Sequence, residues 1–175
     1  MTKKIECKYS ELEEVLFPLL RGRVFHVTDE VTFNDLIRNG WIHSNQQGQF
    51  AFALGQPGDS YGRKRGWVSL FDLHTAMDAP VKEALTGYYF LKLFRSETTR
   101  AVLFLAESVW GSLISWKHAS QEVGGKEVYI PFVEAWYPGD IPLHLISDML
   151  IVSVQSAPSR SSQVIAQDQD SPKAK

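Results

Sequence analysis

Arg23-Val24-Phe25-His26-Val27-Thr28 decides the fold class: a short run of β-branched and aromatic residues with one histidine inside it, suited to a buried strand. Helical patterns flank it on both sides. Before it, Ser10-Glu11-Leu12-Glu13 has capping-box spacing, and Leu12, Val15, Leu16, Leu19 and Leu20 recur at helical intervals. A first amphipathic helix is expected there, bent or shortened at Pro18. After it, Thr32 is placed to cap a second helix, Asp35 falls in the first turn, Phe33, Leu36 and Ile37 share a face, and Gly40 stops it.

Further along, Ser44 to Gly66 is dominated by Gly, Gln, Asp, Ser and Arg around the small apolar island Phe50-Ala51-Phe52-Ala53-Leu54, and reads as a long loop with one short element. Gly66 to Leu73 and Ala101 to Ala106 read as strands, Val81 to Gly87 and Val109 to Lys117 as helices, the latter capped by Ser108. Glu127 to Ile130 is strand-like, Phe132 to Tyr137 continues past Pro131, Pro138-Gly139 is a turn, and Met149 to Val154 is a final strand. Helices lie early and strands late, with few strand-helix-strand units, which favours α+β over a doubly wound parallel sheet.

The chain has 175 residues, 44% hydrophobic and 12% aromatic, enough for one substantial core and incompatible with a disordered chain. The composition shifts near residue 155, so one domain over 1–155 and a disordered tail over 156–175 are expected. A formal charge of -2 gives no broad cationic field for a polyanion, so any nucleic acid must be gripped locally. The single Cys7 has no internal disulfide partner, and no apolar stretch follows Lys3 and Lys4. A cytoplasmic location away from membranes is expected.

Walker A, GxGxxG, HExxH and Gly-x-Ser-x-Gly patterns are all missing, and five scattered histidines with one cysteine suggest no metal site. Arg63-Lys64-Arg65, set between Tyr61-Gly62 and Gly66-Trp67, is the one dense basic cluster. It is either a solvated loop or a contact for phosphate or nucleic acid.

Three strands each carry one polar side chain among apolar ones: Phe25-His26-Val27-Thr28, Trp67-Val68-Ser69-Leu70-Phe71 and Val133-Glu134-Ala135-Trp136-Tyr137. The first leads into Asn34-Asp35-Leu36-Ile37-Arg38-Asn39-Gly40, and the last runs on to Pro138-Gly139-Asp140-Ile141-Pro142. Together these segments resemble the ADP-ribosyltransferase superfamily, in particular its small bacterial and phage members and the DNA-targeting toxins. The resemblance spans about residues 23 to 154 and implies a split, mostly antiparallel two-sheet core with peripheral helices.

It also implies NAD as cofactor and a macromolecular acceptor, protein or nucleic acid, with a role as a toxin or phage-host conflict factor by analogy. His26, with Thr28 as a weaker neighbour, and Ser69 would hold the cofactor, and Glu134 would be catalytic. Ser69-Leu70-Phe71 departs from the commonest Ser-Thr-Ser pattern of such proteins, and Tyr61, Tyr88 and Tyr89 are candidates for the aromatic that stacks on nicotinamide. Arg63, Lys64 and Arg65 are where acceptor contacts are expected.

Chemistry gives the same division of labour. Cleaving the nicotinamide–ribose bond builds positive charge on the sugar, which a carboxylate stabilises, while a histidine can bond ribose hydroxyls without a full charge. Plainer readings stand beside these: His26 as a hydrogen-bonded core residue, Glu134 on a solvated face, Ser69 as a simple strand serine, and Asp72-Leu73-His74 as a solvated strand end. Two other functions remain open, a non-catalytic binding protein with the same fold and an unrelated His/Glu acid-base hydrolase.

Overall fold

A computed structural model describes residues 2–50, 60–74, 79–87, 90–94, 98–122 and 127–155. The expected tail at 156–175, Tyr88 and Tyr89, and most of the Phe50–Leu54 island lie outside the described residues.

The chain opens with a strand, β1 (Thr2–Lys8), and a 3-10 turn at Tyr9–Glu11, then α1 (Leu12–Leu20), β2 (Val24–Asp29), α2 (Glu30–Asn39) and β3 (Trp41–Ile42). After the long loop come α3 (Tyr61–Arg65), β4 (Trp67–Asp72), α4 (Ala79–Gly87), a 3-10 segment at Phe90–Phe94 and β5 (Thr99–Leu105). A 3-10 segment at Glu107–Ser112 precedes β6 (Ile114–Ser115), α5 (Trp116–Glu122), β7 (Glu134–Pro138), β8 (Ile141–Pro142) and β9 (Ile146–Gln155). The class is α+β.

Seven strands form one sheet in the order β1-β9-β5-β2-β4-β7-β6, antiparallel except for the β1–β9 pair, and β3 and β8 form a separate antiparallel ribbon. The sheet is nearly divided at its middle. β2 pairs with β5 over five residues and β4 with β7 over five, whereas β2 and β4 join only at Val24↔Asp72 and Phe25↔Phe71. From His26 onward the ladder between β2 and β4 has ended.

Both faces are covered, which explains why β5 is apolar without alternation. On one face Leu12, Leu16 and Leu20 of α1 and Phe90 and Phe94 pack on Phe25, Val102 and Val152. On the other, Leu36 of α2 and Ile42 and Ile141 of the ribbon pack on Val24, Val68, Leu70 and Leu103. A smaller cluster of Tyr61, Ala119 and Trp136 joins α3 and α5 to β7.

Several expected boundaries are corrected. The first helix begins within the expected stretch, at Leu12, with Glu11 at its cap position but no side-chain cap bond; the Glu11 carboxylate instead takes the Lys8 N–H at 3.2 Å and closes the 3-10 turn before it. Pro18 sits inside α1 without ending it. Asp29, not Thr32, caps α2, its side chain accepting the Thr32 N–H at 2.8 Å, and Gly40 ends it with φ of 78°. The single helix expected at Val109–Lys117 is a 3-10 segment, a short strand and α5, since Ile114 and Ser115 pair with Trp136 and Ala135. The strand expected at Glu127–Ile130 is only a bridge from Val128 to Ser60. Arg63-Lys64-Arg65 is helical, and helices occur throughout rather than early. Strand β1 was missed because only Ile5 and Cys7 of its side chains turn inward, while its lysines suit an exposed edge.

Candidate functional site

Where β2 and β4 part, His26 bridges the opening. Its Nδ1 donates to the Ser69 carbonyl at 2.9 Å. Burial holds the ring below its ordinary value of 6.5, against the Ser69 bond, which favours protonation. At neutral pH the imidazole is therefore uncharged, with its proton on Nδ1 and Nε2 left as an acceptor.

Ser69 and Glu134 are brought together by register. Ser69 lies opposite Trp136 and Phe71 opposite Glu134, and residues opposite one another share a face, so these four side chains line one side of the sheet. The Glu134 carboxylate accepts the Ile130 N–H at 2.8 Å, and the Glu134 N–H returns to the Ile130 carbonyl at 2.9 Å. This pair of bonds closes a turn in which Phe132 adopts a left-handed φ of 66°, with its ring 4.5 Å from that of Trp116.

Burial pushes the Glu134 carboxyl up to about 7, although the Ile130 N–H, the Ser69 hydroxyl and the Trp136 indole each favour the ionised form. Trp136 is fully buried, and its Nε1 makes no hydrogen bond of ordinary geometry. The result is a carboxyl raised to about 7, in the range where a group can both take and give a proton.

Gly62 caps this group from α3. A Cβ there would fall 2.2 Å from Trp136 Cδ1 and 3.2 Å from Ser69 Oγ, so only glycine lets the helix lie so close. Neither Gly62 nor Trp136 stood out in the sequence as part of a site. Strand alternation is the signal for Trp136, which is two residues from Glu134 and must share its face.

Thr28 lies two residues beyond His26, buried and opposite Ala101. Tyr61 is corrected: it is wholly buried, its ring 4.6 Å from that of Trp136 and covered by the Arg65 guanidinium at 3.7 Å. Its hydroxyl donates to Glu122, and burial pushes it up to about 12. It offers no open platform for nicotinamide.

The basic cluster is corrected too. Arg65 bonds Glu127 at 2.6 Å, Glu122 at 3.0 Å and the Tyr61 carbonyl at 3.0 Å, clamping α3 to α5 and to the segment before β7. Lys64 pairs with Glu127 at 3.6 Å, and Arg63 lies over Gly48, where a Cβ would meet its Nη2 at 2.3 Å. Arg65 and Lys64 are thus paired with carboxylates of this chain, Arg65 half-buried and Lys64 exposed. Asp72 and His74 do bond each other, and the His74 ring lies 5.3 Å from that of Trp110 at an exposed strand end.

Among the described residues no helix is long and apolar enough to cross a membrane. No protein-family model, curated protein or solved structure matches this chain.

Proposed function

We propose that this protein transfers ADP-ribose from NAD to a macromolecular acceptor, with Glu134 as the catalytic carboxylate and with Ser69 and His26 holding the nicotinamide–ribose end. The observation that supports the reading is the Ser69 hydroxyl beside a Glu134 carboxyl pushed up to about 7. The pair stands next to the opening between β2 and β4, where the uncharged His26 ring, on the opposite face of the sheet with Leu103, bonds the Ser69 backbone carbonyl. The short β2–β4 ladder, two residue pairs within one seven-stranded sheet, favours the reading.

NAD supplies the ADP-ribosyl group, with nicotinamide as the leaving group. In its ionised form Glu134 stabilises positive charge on the ribose and takes the proton of the acceptor as the acceptor's bond to C1 of the ribose replaces the bond to nicotinamide. His26 accepts from a ribose hydroxyl or the carboxamide through Nε2, and its Nδ1 bond to Ser69 keeps the ring in that orientation. The Ser69 hydroxyl, beside the carboxylate, favours the ionised form and positions it.

The test is incubation of the protein with labelled NAD and a cell extract. Label transfer should fall at least ~100-fold in Glu134→Gln, and in the unaltered protein it should rise with pH to a half-maximum near 7. Equal labelling by both proteins removes Glu134 from the mechanism. Labelling by neither favours a binding protein.

A further inference from the structure

Trp136 carries a polar atom that the resting protein leaves unmatched. The residue is fully buried, and among the described residues its Nε1–H is the one buried side-chain donor without a hydrogen bond. Buried donors are almost always matched, because water cannot reach them and an empty donor is costly. Here α3 keeps water away: the Cβ that Gly62 lacks would lie 2.5 Å from Nε1, so the helix backbone closes over that edge of the indole.

Beside the indole stands Glu134. The two residues are two apart on β7 and so share a face, and Ser69, directly opposite Trp136, adds its hydroxyl to the same face. The indole lies near enough to favour the ionised carboxylate, yet makes no aligned bond to it. The chemistry of the acid form explains the mismatch. Glu134 Oε2 accepts the Ile130 N–H at 2.8 Å, so while the carboxyl is protonated the proton belongs on Oε1. Next to the indole N–H, such an O–H is one donor beside another. Loss of the proton turns Oε1 into an acceptor with open lone pairs.

We propose that Trp136 is the positioning residue of Glu134: its Nε1–H receives Oε1 once the carboxyl has lost its proton, and with the Ser69 hydroxyl fixes the carboxylate in its working orientation. Glu134 is then held on both oxygens, Oε2 by the turn at Ile130 and Oε1 by the indole. Other titratable groups of the neighbouring elements have partners of their own: Arg65 pairs with Glu122 and Glu127, Lys64 with Glu127, His118 with Glu122, and His74 with Asp72. The proposal concerns how the carboxylate is held, whatever it acts on, and does not rest on the transferase reading.

NMR of the full chain, with no NAD present, tests it through the indole N–H signals as the pH is raised. The Trp136 signal, assigned through its own backbone, should move downfield in one step centred near 7, and Glu134→Gln should abolish the step. A Trp136 signal that stays fixed, or moves equally in Glu134→Gln, overturns the proposal. The carbon-13 signal of Glu134 Cδ in Trp136→Phe gives a second reading. Loss of the indole donor should displace the half-ionisation of Glu134 upward by at least about 0.5 in pH, whereas looser packing that admitted water would displace it downward. An unchanged or lowered midpoint overturns the proposal and leaves Trp136 a packing residue. Each measurement needs only one of the two variants to fold, and neither outcome depends on whether label passes from NAD.

Discussion

At the scale of single residues, Glu134 is the most telling group. Its carboxyl is raised from an ordinary 4.5 to about 7 in the folded protein, so folding is favoured while it is protonated. The stabilisation is fully present below pH 4.5 and is lost as pH rises through about 7, a change of about 3 kcal/mol. Glu134→Gln has no such group to ionise. Measured by urea unfolding, its stability relative to the unaltered protein should therefore grow by up to about 3 kcal/mol between pH 4.5 and 8. A difference that stays constant with pH would show that the carboxyl is not held near neutrality. Glu134, His26 and Ser69 were legible as residues because each is the polar member of an apolar strand. The fates of Tyr61 and Arg65 were not, because their partners Glu122 and Glu127 lie about sixty residues away and a basic run looks the same in sequence whether solvated or clamped.

At the scale of elements, two contacts decide how the site is framed. Gly62 lets α3 rest on Trp136 and Ser69, so Gly62→Ala should push the helix off the sheet and lower stability by about 1–3 kcal/mol in chemical denaturation. An unchanged stability would mean that α3 is free to move away. Asp29 holds the start of α2, so Asp29→Ala should lose about 1 kcal/mol, while Thr32→Ala should leave the cap intact. The reverse order would restore Thr32 as the cap. Helix α2 was legible almost to its ends, since a periodic face and a terminal glycine are local signals. The stretch from Glu107 to Glu122 was not: Ile114 and Ser115 are strand only because β7 pairs with them, and no local preference records a partner twenty residues on.

At the scale of the molecule, the joint between β2 and β4 divides the sheet into a larger part, β1-β9-β5-β2, and a smaller one, β4-β7-β6, joined by two residue pairs. Hydrogen exchange should follow that division. Amides of β5, buried on both faces and paired on both sides, should be the slowest, and those of β4 and β7 should exchange measurably sooner. Equal protection across β5, β4 and β7 would show a single cooperative sheet. The sequence by itself determined the α+β class, the core strands β2, β4, β5 and β9, and the three polar positions, because burial writes periodic and compositional patterns into adjacent residues. Only the tertiary structure decided where the sheet opens, that the Ser69 carbonyl meets His26 while its hydroxyl faces Glu134, that Arg65 is clamped by Glu122 and Glu127, and that His43 meets Asp140. Each of these depends on strand register and on pairs of residues far apart in the chain, and the free energy of such a pair belongs to neither sequence neighbourhood alone.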